Sequence, residues 1–190
     1  MEPVRTKAAM ARIEALRARL DRPIALVGLM GVGKSTAGRR LAEMLGRGFV
    51  DADDAIEEAA QLSIAEIFSE FGEDYFRDGE RRVIARLIEE EHGVIATGGG
   101  AFVNAETRAL ILDRAVTVWI DCDLATLVER TGRRDHRPLL RDGDPEEILG
   151  RLLRERAPLY AQAHIRVEGQ KGPHNRTAMA IIEGIEQWLS

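Results

Sequence analysis

Residues 24–36 read IALVGLMGVGKST, and they give the strongest indication of the fold. The apolar run Ile24–Val27 predicts a buried strand, and residues 35–45 predict a helix. Between them, residues 28–35 match the pattern G-x-x-x-x-G-K-[ST], whose glycines let the backbone curl so that successive N–H groups point inward. Because this loop directly follows a strand and precedes a helix, it predicts a phosphate-binding site and not a turn that binds nothing.

Each residue type in this loop has an expected contact with a nucleotide. The positive end of the helix that begins near Gly33 favours the β-phosphate, and Lys34 can reach the β and γ oxygens. The Ser35 hydroxyl is placed to ligate Mg²⁺, the expected cofactor, with ATP as co-substrate. The expected ATP-binding residues of the loop are Gly31, Val32, Gly33, Lys34, Ser35 and Thr36.

Strands and helices alternate along the rest of the chain. Further strands are predicted at Phe49–Asp51, Val94–Ala96, 116–120 and 165–167. Ser63 and Glu66 predict a capped helix that Gly72 ends, and Pro145 predicts the start of another that runs to about Arg156. Alternation of this kind predicts an α/β fold with a parallel sheet covered by helices on both faces, a three-layer α/β/α arrangement.

Length and composition favour one soluble domain. The chain has 190 residues, of which 45% are hydrophobic and 31% charged, close to the average for globular proteins. The net charge of −5 provides no general attraction for nucleic acid, so local Arg and Lys side chains must hold an anionic substrate. We therefore expect small-molecule partners, no nucleic acid, and a monomer.

The single cysteine, Cys122, excludes an intramolecular disulfide and suits a reducing compartment. No apolar run approaches the roughly 18 residues of a membrane span, and the first residues lack the apolar stretch of a secretory signal. We expect a cytoplasmic protein without a membrane partner.

The N-terminal residues predict a helix of their own. Residues 6–20 carry Ile13, Leu16 and Leu20 at helical spacing, and Pro23 closes the segment. We divide the chain into a helical extension, 1–22, and a phosphate-loop domain, 23–190. The extension could dock on the domain, pair with another chain or stay mobile.

Three carboxylates follow the second predicted strand. Asp51, Asp53 and Asp54 should emerge at the carboxyl end of the sheet, on the same edge as the phosphate loop. Asp51 could hold Mg²⁺ through water. Asp53, on the same side of an extended strand by its period of two, could accept a substrate hydroxyl proton. In the alternative interpretation, Asp53 or Asp54 only caps the next helix.

The order and spacing of several segments resemble those of bacterial shikimate kinases. The segments are residues 28–36, 49–57, 72–80, 98–100, 137–140 and 156–160. The likeness spans residues 24–167. It implies transfer of the γ-phosphoryl of ATP to the 3-hydroxyl of shikimate, a step in making aromatic amino acids. It also implies a P-loop kinase fold similar to nucleoside-monophosphate kinases, with a five-stranded parallel sheet in the order 2-3-1-4-5 and a mobile lid over about residues 131–144.

The resemblance also implies a role for individual residues. Asp53 matches a position that binds substrate hydroxyls, and Glu80 matches a glutamate near the substrate. The carboxylate-binding positions match Arg77 and Arg156, while Gly98, Gly99 and Gly100 match the lining of the substrate cavity. Arg130 matches an arginine near the adenine, and Arg137 matches the lid arginine. The implied catalytic residues are Lys34, Asp53 and Arg137.

The residue types agree with these roles. A small carboxylate is well held by a planar guanidinium that stays charged at any working pH. In the alternative interpretation, Arg77 and Arg156 form surface salt bridges, and the three glycines are a flexible connection. Arg133, Arg134, Arg137 and Arg141 could likewise form only a solvated basic loop.

Two other functions remain open at this point. One is another small-molecule kinase, such as a gluconate or nucleoside-monophosphate kinase with the same phosphate loop. The other is a nucleotide-binding switch, which is disfavoured because the sequence lacks an Asn/Thr-Lys-x-Asp guanine signature.

Overall fold

A five-stranded parallel sheet forms the centre of the fold. The structure is a computed structural model that describes residues 7–90, 93–132, 143–169 and 175–190. Its strands are β1 (Ile24–Val27), β2 (Phe49–Asp51), β3 (Val94–Ala96), β4 (Val116–Asp121) and β5 (Ile165–Glu168). They lie in the order β2-β3-β1-β4-β5, and every neighbouring pair is parallel. The predicted α/β class and strand order are therefore confirmed.

Helices surround the sheet. Within the described residues they are α1 (Lys7–Arg19), α2 (Lys34–Leu45), α3 (Ala52–Ala60), α4 (Ile64–Glu89), α5 (Ala105–Arg114), α6 (Leu124–Thr131), α7 (Pro145–Tyr160) and α8 (Asn175–Leu189). A short 3₁₀ helix, Ala101–Val103, follows β3. In the part of the chain that the structure describes, none of the helices has the length and apolarity needed to cross a membrane.

The strand register brings three loops to one edge of the sheet. Asp51 lies beside Ala96, and Ala96 lies beside Leu26 on the central strand. The chain therefore leaves β1, β2 and β3 at the same level. The central strand β1 lies between β3 and β4, so the strand order reverses its direction at β1. Open parallel sheets bind ligands at the carboxyl ends of the strands beside such a reversal.

Local sequence signals explain most of the helix ends. Ser63 and Glu66 form the predicted capping box, in which the Ser63 N–H donates to Glu66 Oε2 over 2.8 Å. Gly72 has φ 82° and ψ 174°, so it interrupts α4 where the sequence predicted a helix end.

The end of α7 differs from the prediction. The helix passes Arg156 and Pro158 and ends at Tyr160. Pro158 lies inside this last turn, although a proline there removes one helix hydrogen bond. The extra turn is held by Tyr160, whose side chain is buried with 1% exposure.

The buried apolar residues form two cores. The larger one includes all four residues of β1 and packs the helices onto the sheet. A smaller one, centred on Ile56, Ile67 and Phe76, joins α3 to α4. Cys122 is buried in the larger core, where it is a free thiol.

Helix α1 packs on the rest of the molecule. Its residues Ile13 and Leu16 are buried in the larger core, together with Leu20 just beyond it. Arg12 pairs with Glu186 on α8, which adds a polar contact to the apolar one. Of the three arrangements left open by the sequence, the structure has the docked one. We propose that α1 belongs to the same folding unit as the domain.

Truncation of Leu16 tests this proposal. Leu16 is 2% exposed, so Leu16→Ala should leave a cavity and lower the free energy of unfolding by about 2–4 kcal/mol. Met10→Ala on the same helix is the control, since Met10 is 57% exposed and its loss should change little. Urea denaturation measures both variants, and equal stability of the two would contradict the proposal.

Candidate active site

The phosphate loop is shaped by glycines that adopt positive φ. Gly28, Gly31 and Gly33 have φ of 142°, 84° and 94°. A Cβ on Gly28 would also lie 2.6 Å from the Ile120 carbonyl oxygen, so only glycine fits there. Gly33 caps α2 in the left-handed region without a side-chain cap hydrogen bond. The first N–H groups of α2 are thus directed at the loop, where an anion is their natural partner.

Lys34 is held inside this loop. Its ammonium donates to the carbonyl oxygens of Gly28 over 2.8 Å and Leu29 over 3.1 Å. The side chain is buried, with 9% exposure. A buried ammonium bound to backbone carbonyls is positioned to meet a phosphate that enters the curl of the loop.

Asp51 links the phosphate loop to α3. One carboxylate oxygen accepts from the Ser35 hydroxyl over 2.5 Å, and the other accepts from the Asp53 N–H over 3.1 Å. Asp51 is therefore the N-cap of α3, so the alternative interpretation, in which Asp53 or Asp54 caps this helix, does not hold. Asp53 lies in the first turn of the helix, so its predicted place on an extended strand was also wrong.

The oxygen ligands near Ser35 fit a magnesium ion that arrives with a nucleotide. Mg²⁺ is usually bound by one or two protein oxygens, with phosphates and water completing the shell. Ser35 and Asp51 supply a hydroxyl and a carboxylate in hydrogen-bonding contact. Within the described ranges, no cluster of three or more His, Cys, Asp or Glu residues could hold a metal by itself.

The next feature is the glycine triplet, Gly98, Gly99 and Gly100, which follows β3. Each member allows the close approach of a different group. A Cβ on Gly98 would lie 2.7 Å from Asp53 Oδ1 and 2.9 Å from Glu80 Oε1. A Cβ on Gly99 would lie 3.4 Å from the Met30 amide nitrogen, and one on Gly100 would lie 2.5 Å from Arg77 Nη2.

The triplet therefore packs against groups from three elements. It contacts the phosphate loop on one side and charged side chains of α3 and α4 on the other. Backbone hydrogen bonds from Ala101 to Gly98 and from Val103 to Gly100 fix the turn. The three glycines therefore let other groups approach the backbone closely, and they do not serve as a flexible connection.

Two carboxylates meet at Gly98. Burial raises the pKa of Asp53, as does the nearby Asp51, while the charge of Lys34 lowers it. Burial also raises the pKa of Glu80, against the opposing effect of Arg77. Asp53 is thus close enough to Lys34 to interact with it electrostatically, although it reaches the site from a different element.

The two arginines predicted to bind a carboxylate lie at the glycine triplet. Arg77 Nη1 donates to Glu80 over 2.7 Å, and its guanidinium lies against Gly100. Arg156 Nη1 donates to the Gly99 carbonyl oxygen over 3.0 Å. Arg77 pairs with acids of its own helix, as the salt-bridge interpretation expected. In this paired position its guanidinium also lies beside the glycine triplet.

Tyr160 is a site residue to which the sequence analysis gave no role. Its hydroxyl donates to the Gly99 carbonyl oxygen over 2.6 Å. A signal was present, because residues four apart share one helix face, and Tyr160 is four residues after Arg156. The expected helix end near Arg156 concealed it.

The predicted adenine side is only partly described. Arg130 Nη1 donates to the Val32 carbonyl oxygen over 3.0 Å, which places this arginine beside the phosphate loop. Arg137 lies outside the described residues, as do Arg133, Arg134 and Arg141 of the predicted lid. The structure therefore places the predicted residues Lys34, Ser35, Asp51, Asp53, Arg77, Arg130 and Arg156 around the phosphate loop and the glycine triplet.

The raised pKa of Asp53 predicts that this residue lowers stability. Between the ordinary pKa of an aspartate and the raised one, the folded state binds more protons than the unfolded state, so stability falls as pH rises. Asp53→Asn should raise Tm at neutral pH by on the order of a few degrees. The gain should vanish below about pH 4, where aspartate is protonated even when unfolded.

Thermal unfolding across this pH range measures the effect. Asp54→Asn is the matched control, because Asp54 is exposed on the same helix and has only a minor effect on the pKa of Asp53, so its loss should change Tm much less. A lower Tm for Asp53→Asn at neutral pH would contradict the electrostatic argument.

Known proteins share both the sequence and the fold. The family model for shikimate kinase matches residues 30–186. The shikimate kinase of Novosphingobium aromaticivorans is 55% identical over 183 residues, 94% of this chain and 95% of the relative. That of Caulobacter vibrioides is 56% identical over 164 residues, 86% of this chain and 82% of the relative.

A solved structure agrees with the sequence relatives. Shikimate kinase from Acinetobacter baumannii, solved in complex with shikimate, superposes with a TM-score of 0.85 at 38% identity. The match covers 92% of this chain and 97% of that one. With the family model, the relatives and the fold in agreement, the chain belongs to the shikimate kinase family.

Proposed function

We propose that the protein transfers the γ-phosphoryl group of ATP to the 3-hydroxyl of shikimate, giving shikimate 3-phosphate and ADP. Membership of the shikimate kinase family supports this reaction. One structural observation also supports the proposed reaction. The glycine triplet holds a carboxylate and two guanidinium groups directly beside a phosphate-binding loop. A kinase acting on a hydroxy acid needs these groups together.

The nucleotide end of the site is the phosphate loop. In the proposed reaction the loop amides and Lys34 bind the β and γ phosphates, and Arg130 lies near the adenine. Arg137 would add a charge to the transferring phosphoryl group from the lid. Ser35, with Asp51 acting through water, would hold Mg²⁺, which neutralises charge that develops on the phosphates. The hydrogen bond between Ser35 and Asp51 keeps both oxygens on the phosphate side of the sheet.

The acceptor end is the glycine triplet with its charged neighbours. Arg77 and Arg156 would bind the shikimate carboxylate, and Asp53 would accept the proton of the attacking hydroxyl. A carboxyl with a raised pKa is a better proton acceptor than an ordinary one when it is ionised, so the burial of Asp53 suits this task. Glu80 would hold Arg77 in place through their 2.7 Å contact.

We further propose that the enzyme acts as a cytoplasmic monomer without nucleic-acid or membrane partners. The net charge of −5 supports the absence of a general nucleic-acid surface. The site also draws its residues from one chain, so no second copy is required for the groups described above.

Shikimate-dependent release of ADP tests the reaction. We expect ADP formation from ATP and Mg²⁺ to rise at least tenfold when shikimate is added, because the arginines hold a carboxylate acceptor in line with the phosphate. AMP, CMP and gluconate should give no such rise. Turnover of one of these acceptors in place of shikimate would refute the assignment.

The same assay has an internal control. Asp53→Asn should lower kcat by about 10²–10⁴-fold, while ATP binding measured by calorimetry stays unchanged. Asp54→Asn should keep full activity, since its side chain is exposed. Equal loss of ATP affinity and turnover in Asp53→Asn would count against its role as proton acceptor.

Arg77 has two proposed roles, in substrate binding and in stability, so a single variant is compared with a double variant. Arg77→Gln removes a proposed ligand of the shikimate carboxylate and also leaves buried Glu80 without its partner. We expect the shikimate KM to rise at least tenfold and the stability to fall by about 3 kcal/mol. In the double variant Arg77→Gln/Glu80→Gln, most of the stability should return while the shikimate KM stays raised.

Kinetics and urea denaturation of the two variants separate these tasks. Recovery of both stability and shikimate KM in the double variant would mean that Arg77 serves only the fold.

A further inference from the structure

Two donors from α7 share one acceptor on the glycine triplet. Tyr160 Oη donates to the Gly99 carbonyl oxygen over 2.6 Å, and Arg156 Nη1 donates to the same oxygen over 3.0 Å. A carbonyl oxygen has two lone pairs, so these donors fill its capacity. The position of this one peptide group and the direction of the Arg156 guanidinium are therefore connected.

The two donors differ in rigidity. Tyr160 is 1% exposed and its ring packs near two other rings, with centroids 6.2 Å from Phe102 and 6.1 Å from Trp119. Trp119 is part of β4, so Tyr160 is tied to the sheet. Arg156 is a long side chain that is only half-buried. Of the two donors, Tyr160 is therefore the more deeply buried one, and it packs against other rings.

The Tyr160 hydroxyl remains a donor at working pH. Burial raises the pKa of Tyr160 above its ordinary value, against the effect of Arg156. The phenol therefore stays protonated, and its proton points to Gly99. A tyrosine placed here only for packing would need some partner for its hydroxyl, but the partner found is the acceptor of a proposed substrate-binding residue.

We propose that Tyr160 is a positioning residue for substrate binding, which fixes the Gly99 carbonyl so that Arg156 presents its remaining N–H groups to the carboxylate of the acceptor. This inference rests on the proposed function, in which Arg156 binds that carboxylate. Tyr160 touches neither the acceptor nor the nucleotide in this scheme. It restricts the conformations of the Gly99 carbonyl and the Arg156 side chain before the acceptor arrives. Less conformational entropy is then lost on binding.

Removal of the hydroxyl has a specific expected effect. In Tyr160→Phe the ring keeps its neighbours Phe102 and Trp119, but the Gly99 carbonyl loses the Tyr160 donor and keeps only the longer, half-buried Arg156. The shikimate KM should rise about three- to tenfold, as for loss of one buried hydrogen bond. The KM for ATP should stay within twofold, because no ATP-binding residue contacts Tyr160 in the proposed site. The kcat at saturating shikimate should change less than the shikimate KM.

A double-mutant cycle shows whether the effect passes through Arg156. In an Arg156→Lys background the planar guanidinium is already lost, so adding Tyr160→Phe should raise the shikimate KM by less than twofold. A merely structural role for Tyr160 would give the same fold-change in both backgrounds. Equal factors in the two backgrounds would thus overturn the inference.

Thr117→Val is the matched control for loss of a buried hydroxyl. The Thr117 hydroxyl donates to the Ile111 carbonyl oxygen over 3.3 Å at the start of β4, the end of the sheet away from the site. This variant should lose stability without any change in the shikimate KM. If it raised the shikimate KM as much as Tyr160→Phe, stability alone would explain the effect and the inference would fail.

A second variant covers the case in which Tyr160→Phe does not fold. Phe102→Leu keeps the hydroxyl but frees one side of the Tyr160 ring, so the shikimate KM should again rise and the ATP KM should not. An equal rise in both KM values would overturn the inference. Wild-type protein without shikimate-dependent ADP release would refute the proposed function instead, and an active wild type with an unaffected Tyr160→Phe would refute this inference alone.

Discussion

The site depends on the close approach that the glycine triplet permits. Asp53, Glu80 and Arg77 all lie where a side chain on Gly98 or Gly100 would otherwise be, at 2.5–2.9 Å from the Cβ positions. The phosphate loop packs against the same turn at Gly99. Since the turn directly continues β3, its position is set by the sheet register, which aligns β3 with β1 and β2. The backbone of one strand thus fixes the distance between the two halves of the site.

This packing concentrates charge where burial disfavours it. Asp53 and Glu80 are carboxylates whose pKa values burial raises, and both approach Gly98. Arg77 and Lys34 offset part of that cost, each from a different element. The arrangement is less stable than a neutral one would be, which is typical of sites whose charges are organised for chemistry and not for folding. The smaller core of Ile56, Ile67 and Phe76 joins α3 and α4, the helices that carry Asp53, Arg77 and Glu80.

The sequence predicted features that depend on local patterns. The phosphate loop, the strands and the Ser63 capping box were readable because each requires particular residues at fixed spacing. The strand order came from a family resemblance and not from the residues themselves. The sequence did not show that Asp51 caps α3, because Asp51, Asp53 and Asp54 are equivalent as residue types, and only the chain path shows which one begins the helix. Tyr160 was missed because its partner, Gly99, is 61 residues away along the chain.

The two proposed carboxylate-binding arginines are held in chemically different ways, and this bears on their roles. Arg77 is bound to Glu80, so part of its charge is already neutralised by a buried carboxylate. Arg156 is bound to a neutral carbonyl, which directs the guanidinium without neutralising it. An incoming carboxylate would therefore be attracted more strongly by Arg156, while the Arg77–Glu80 pair, with its fixed geometry, would set orientation. The neutral contact at Gly99 therefore leaves the charge of Arg156 available for an acceptor carboxylate, in a site that also contains the carboxylates of Asp53 and Glu80.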